Sequence, residues 1–107
     1  MNYYRQGDLA ITPIKRLPKG LKKVKSNVLA YGEATGHKHR LLEILPQTEN
    51  QFEILEDDKG NKYLDIKHPT DLVHEEHKKL TIDRGLYFIK NEKEYNYFEE
   101  ETARVID

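Results

Sequence analysis

Apolar residues in this chain recur at every second position in short runs that end at Gly, Pro, Asn or Asp, which is the pattern of half-buried strands rather than of helices. The period predicts strands at "DLAITPI" (8–14), "NVLAYGEA" (27–34), "HRLLEIL" (39–45), "QFEILED" (51–57), "KYLDI" (62–66), "KKLTI" (78–82), "GLYFIKN" (85–91) and "NYFEEETARVI" (96–106). Asp58, Gly60 and Asn61 stand between two of these runs with the chemistry of a hairpin turn, and "LTIDRGLYFI" reads as a second reversal. Helix signals are few. "LPKGLKKVKS" has room for a turn or two, against Pro18 and Gly20, and "PTDLVHEEHKKL" (69–80) for a short helix capped by Thr70 or Asp71. Many short strands at this spacing predict an all-β fold, a small barrel or sandwich, and closing a barrel would also remove exposed strand edges.

A length of 107 residues supports one core, so residues 1–107 are expected to form a single domain. Hydrophobic residues make up only 36% and charged ones 35%, which predicts a thin core. No stretch approaches the roughly 20 apolar residues of a membrane span, and "MNYYRQGDLA" lacks a basic segment followed by an apolar one. The expectation is a soluble cytoplasmic protein with no membrane partner. Because the chain has no cysteine, a transition metal would have to be held by imidazole and carboxylate.

Charge is unevenly spread. From Leu9 to Gly32 there is no acidic residue, while Lys15, Arg16, Lys19, Lys22, Lys23 and Lys25 crowd together, and Glu92, Glu94, Glu99, Glu100 and Glu101 make the C-terminal end acidic. With Arg40, the basic residues are candidates for contact with the phosphates of RNA or a nucleotide. Tyr95, Tyr97 and Phe98 offer stacking surfaces in that reading, although aromatics alternating along a strand are more often core.

The five histidines are bunched, in "GHKH" and "HEEH" with His68 between them. On a strand, residues two apart share a face, so His37 and His39 project together, and Glu43 joins them if the strand stays regular. His74 and His77, three apart, share one side of a helix but take opposite faces of a strand. They are one residue too close for the two-histidine metalloprotease signature. His37, His39, Glu43 and His74 are therefore the candidate ligands of a divalent metal (Zn, Mn, Fe or Ni), with His77 as an alternative to Glu43. His68, before Pro69, carries no such expectation.

"GEATGHKHRLLE" resembles the first metal-binding motif of the cupins, in which glycine precedes His-x-His and a glutamate follows; His37, His39 and Glu43 match its ligand spacing over about a dozen residues. The resemblance implies a cupin-like metal site. The chain departs from the motif in lacking a glycine after Glu43, and the second cupin motif is absent around Pro69 and His74. The order of "GD", "GEATGHKH", "HEEH", "RGLYFI", "EKEY" and "ARVID" also resembles small proteins of phages and bacterial mobile elements, which implies a host-cell cytoplasm and no particular mechanism.

Three functional classes follow. A metal held by the histidines would activate water for hydrolysis of a phosphodiester, nucleotide or RNA. Without metal, two of His37, His39, His74 and His77 would serve as general acid and base, with Lys78 or Arg40 stabilising phosphoryl charge and Tyr87 or Tyr95 orienting the attacked group. A non-catalytic module would bind nucleic acid or a protein through the lysine-rich loop, as a phage-type inhibitor of a host factor does.

Overall fold

The computed structural model describes residues 2–31 and 36–92; the strand expected over 96–106, the candidates Tyr95, Tyr97 and Phe98, and Gly32 lie outside them. Along the chain the strands are β1 (Tyr4–Gln6), β2 (Leu9–Ile14), β3 (Lys22–Val24), β4 (Val28–Tyr31), β5 (Lys38–Leu41), β6 (Phe52–Glu56), β7 (Lys62–Ile66), β8 (Thr70–Val73), β9 (Leu80–Ile82) and β10 (Gly85–Asn91), with one 3-10 turn at Gln47–Glu49. They form a six-stranded sheet in the order β1-β2-β10-β7-β6-β3 and a four-stranded sheet in the order β4-β5-β8-β9. Every pairing is antiparallel. The fold is all-β, as the alternation predicts.

Inward positions explain the core. Leu9 and Ile11 of β2, Leu41 of β5, Leu64 and Ile66 of β7, Leu72 of β8, Ile82 of β9 and Tyr87 and Ile89 of β10 are buried in one cluster. Alternate residues of one strand reach it because side chains on a pleated strand point to opposite faces. Four polar residues, Gln6, His39, Gln51 and Thr70, also take buried positions.

Several local expectations differ from what forms. Residues 69–80 are not helical: Thr70 and Leu72 turn inward at alternate positions, so the segment satisfies its backbone as β8, a bend and β9. "LPKGLKKVKS" yields no helical turn, and Lys22–Val24 pairs with β6 instead. Asp83 and Arg84 do not close a hairpin, because β9 and β10 belong to different sheets and the chain crosses between them there. β5 ends at Leu41, short of Leu45. Beyond it the backbone amides of Ile44 and Leu45 both donate to Oε1 of Gln51, which draws the chain off the ladder before Pro46. The expected hairpin through Gly60 does form, between β6 and β7, with Gly60 at φ +85° and Asp57 accepting from the amides of Lys59 and Asn61.

Candidate functional site

β5 reads Lys-His-Arg-Leu and buries its second and fourth residues. Leu41 fills its inward position as an aliphatic should. His39 takes the equivalent position two residues earlier and is 7% exposed. A polar ring buried there needs a partner, and it finds one on the other sheet: Gln6, the last residue of β1, places Oε1 2.8 Å from His39 Nδ1. The amide nitrogen of Gln6 donates to the carbonyls of Leu72 (2.9 Å) and Lys78 (3.0 Å).

Those two carbonyls bracket the "HEEH" loop, which leaves β8 after Val73 and returns as β9 at Leu80. Within it, His74 and His77 both come to lie beside His39. Ring centroids are 4.3 Å apart for His39 and His74, 4.6 Å for His74 and His77, and 6.0 Å for His39 and His77, the last pair nearly parallel. His37, just ahead of β5, has its ring 5.7 Å from that of His74. A three-residue spacing would split His74 and His77 on a strand, but a loop leaves both rings free to reach the same place.

Carboxylates tie the loop to its surroundings. Glu75 accepts from the backbone amide of Lys38 at 2.9 Å, which holds its carboxyl below the usual range. The amide of Glu76 donates to His74 Nδ1 at 3.0 Å, and Glu76 Oε1 lies 3.6 Å from His37 Nδ1. The turn between β1 and β2 completes the cluster. Gly7 sits there at φ +59°, the conformation that a two-residue hairpin with glycine first requires, and a Cβ on it would fall 2.5 Å from His77 Nε2.

Burial dominates the electrostatics. His39 is pushed down to about 4, first by desolvation and then by the neighbouring His74 and His77, with Asp8 and Glu75 opposing. His74 is also lowered, by desolvation and by His77. His39 is therefore a neutral imidazole near pH 7, the form that ligates metals.

As they stand, no three His, Asp or Glu side chains among the described residues are arranged to hold a metal ion. The donors nevertheless suit one. His39 keeps Nε2 once Nδ1 is spent on Gln6, whereas His74 uses Nδ1 to accept from Glu76 and would have to release that bond before its ring could ligate. Giving up one such hydrogen bond costs about 1 kcal/mol, against roughly 10 kcal/mol or more for Zn binding at structural sites.

The remaining candidates lie elsewhere. Glu43 does not share the face of His37 and His39, because β5 ends before it; it lines a groove with Lys23, Asn27 and Phe52. Lys78 meets the site through its backbone carbonyl, and its side chain is exposed. Tyr87 is built into the core, donating to the Asp83 carbonyl at 2.7 Å and packing edge-on against Tyr4, and burial pushes its hydroxyl up to about 12. Lys15 and Arg16 follow the far end of β2, whose other end adjoins Gly7 and Asp8, so six strand residues, about 20 Å at some 3.3 Å per residue, lie between them and that turn, while Lys23 and Lys25 line the groove that also holds Glu43. Lys23 there pairs with Glu53 at 2.7 Å. Arg40 lines a groove of about 330 Å³ together with Gly36, Lys38, Val73, His74 and Glu75. Gln6 is the site residue that sequence reasoning missed; its one legible signal is a polar residue directly before a Gly-Asp turn.

A two-sheet β protein with a histidine cluster where the sheets meet is the class these features define. Residues 5–92 match the family described as Domain of unknown function (DUF8820), and the chain belongs to that family. The match takes in Gln6 and all of His37, His39, His74 and His77. No curated protein and no solved structure matches the chain. Among the described residues, no helix is long and apolar enough to cross a membrane.

Proposed function

We propose that the protein is a metal-dependent hydrolase of a phosphate-containing substrate, a nucleotide or RNA, with His39, His74 and His77 as ligands of a divalent ion and His37 at its edge. The observation that carries this reading is the convergence of rings from β5 and from the loop after β8. With Zn–N bonds of about 2.0–2.1 Å, two imidazoles on one tetrahedral ion have centroids about 5 Å apart, and the three separations here are 4.3, 4.6 and 6.0 Å. An imidazole set suits Zn, Mn, Fe or Ni. Such an ion would supply a Lewis acid for a phosphoryl oxygen and bring the pKa of a water toward neutrality.

The chain's own groups cover the other requirements. His37, whose Nδ1 lies 3.6 Å from Glu76 Oε1, stands at the rim. The attacking water would first give a proton to solvent; as its oxygen bonds to phosphorus and the bond to the leaving oxygen breaks, His37 is placed to give the leaving oxygen a proton, which solvent then restores. Lys38 and Arg40, two apart on the face of β5 opposite His39, line a groove with His74 and would meet phosphoryl oxygens only on the His74 side of the ion. Lowered to about 4 by burial, His39 is a weak base at neutral pH and suits a ligand better than a general base. Lys15 and Arg16, about 20 Å from the Gly7 turn by strand length, would contribute only to a polymer. The resemblance of the motif order to that of phage and mobile-element proteins supports a host-cell cytoplasm as the proposed setting.

The test is metal uptake with activity. Purified protein dialysed against zinc should retain one equivalent, His39→Ala should retain none, and cleavage of a nucleotide panel or of RNA should stop with chelator and return with metal. Wild-type protein that takes up no zinc, or cleavage indifferent to chelation, defeats the proposal. RNA binding that falls steeply with salt, needs Lys22 and Lys23 and ignores every histidine would put a non-catalytic module in its place.

A further inference from the structure

We propose that Gln6 is the positioning residue of the cluster: it fixes His39 as the Nδ1–H tautomer and, by bracketing the loop, sets where His74 and His77 stand relative to the His39 Nε2 lone pair. The argument is an inventory of donors and acceptors. A glutamine amide has one accepting end and one donating end, and two carbonyls, those of Leu72 and Lys78, lie 2.9 and 3.0 Å from its nitrogen. Carbonyls only accept, so the NH₂ group must face them. A flipped amide could still donate to a bare Nδ1, but it would set its oxygen against two carbonyl oxygens and forfeit both of those contacts.

The amide oxygen is thereby committed to His39, at 2.8 Å from Nδ1. An oxygen acceptor there requires the proton on Nδ1, which leaves the lone pair on Nε2. That is the reverse of the tautomer preferred by free neutral histidine. Metal-ligating histidines characteristically donate their second ring N–H to such an oxygen, which fixes the ring and raises its basicity.

The same side chain organises the loop. Leu72 lies two residues before His74 and Lys78 one residue after His77, so one amide nitrogen holds both ends of the segment that carries the two rings. The next residue, Gly7, receives the edge of His77. One tight turn thus touches His39 and His77 and fixes the path of His74. The tautomer lock is a property of the resting protein; its use in coordination rests on the metal reading above.

The experiment is long-range ¹H–¹⁵N correlation on the full chain with labelled histidine at pH 7.5, before and after addition of zinc, with Gln6→Met as the variant. Wild type is expected to show His39 with a protonated Nδ1 and a bare Nε2, and zinc to perturb Nε2 and not Nδ1. Gln6→Met should move His39 toward the Nε2–H form and weaken zinc binding by about 10- to 100-fold. A wild-type His39 that carries its proton on Nε2 overturns the lock whatever zinc does, and this holds even if the variant does not fold. An Nδ1–H tautomer that zinc leaves undisturbed upholds the lock and defeats the metal reading.

Discussion

Gln6 and Gln51 are both buried glutamines that tie a loop to the four-stranded sheet, and they differ in what they hold. Gln51 accepts from the amides of Ile44 and Leu45 and donates to the Leu42 carbonyl and the Thr70 hydroxyl. All of its partners are backbone groups or a hydroxyl that itself bonds to the His68 carbonyl. Gln6 also donates to two carbonyls, but spends its oxygen on an imidazole whose other nitrogen remains for chemistry. Where a buried amide closes on backbone alone it is scaffold. Where it closes on a ring that can still bind something, burial of that ring has a use beyond the fold.

The widest separation between the two should come from removing each amide. Gln51→Leu leaves two part-buried amides and a carbonyl without their partner, and at about 1 kcal/mol for each it should cost about 3 kcal/mol in urea unfolding. Zinc affinity of the protein that remains folded should be unchanged. Gln6→Met should lose comparable stability and zinc affinity as well. Equal effects of both variants on zinc binding would erase the distinction.

Protons sharpen the same contrast. In metal-free protein His39 is held near 4 by burial and by His74 and His77, against the opposing charges of Asp8 and Glu75. Its ordinary value in the unfolded chain is 6.5, so the unfolded state binds more protons between these values and stability rises with pH. The contribution is complete above about pH 6.5 and is lost as pH falls toward 4, roughly 2 to 3 kcal/mol over that window. His39→Leu should flatten the slope, whereas Thr70→Val at the Gln51 end should lower stability without changing it. Urea midpoints at pH 7.5 and 4.5 measure both.

The smallest expected effect is at Gly7. Its φ of +59° is costly for a residue with a Cβ, about 1 kcal/mol. The clash with His77 is relieved by turning that exposed ring. Gly7→Ala should therefore lose little stability and yet weaken zinc binding, because the ring that turns away would be one of the proposed ligands. An unaltered affinity would remove His77 from the coordination set.

The two-residue period made the strands legible wherever a run was long enough to have a period. β1 was not legible, because three residues, Tyr4 to Gln6, are too few to alternate, and Gln6 was hidden with it. The inward position of His39 is readable from spacing alone, since β5 carries its side chain inward, whereas His37 lies just ahead of the strand. Glu43 was misplaced for a reason local sequence does not show: Gln51 captures the backbone past Leu41 and ends the strand. "HEEH" was read as helix or strand, each with a fixed facing rule, whereas a bend clamped at both ends by Gln6 follows neither.

The central claim is that three imidazoles drawn together by β5 and the β8–β9 loop close on one ion. X-ray absorption at the zinc edge of the loaded wild-type protein tests it most directly. The account predicts three imidazole rings scattering from about 2.0–2.1 Å, with one of them lost when His77→Ala is loaded with excess zinc. A zinc surrounded by oxygen alone, or an unchanged spectrum in that variant, would contradict it.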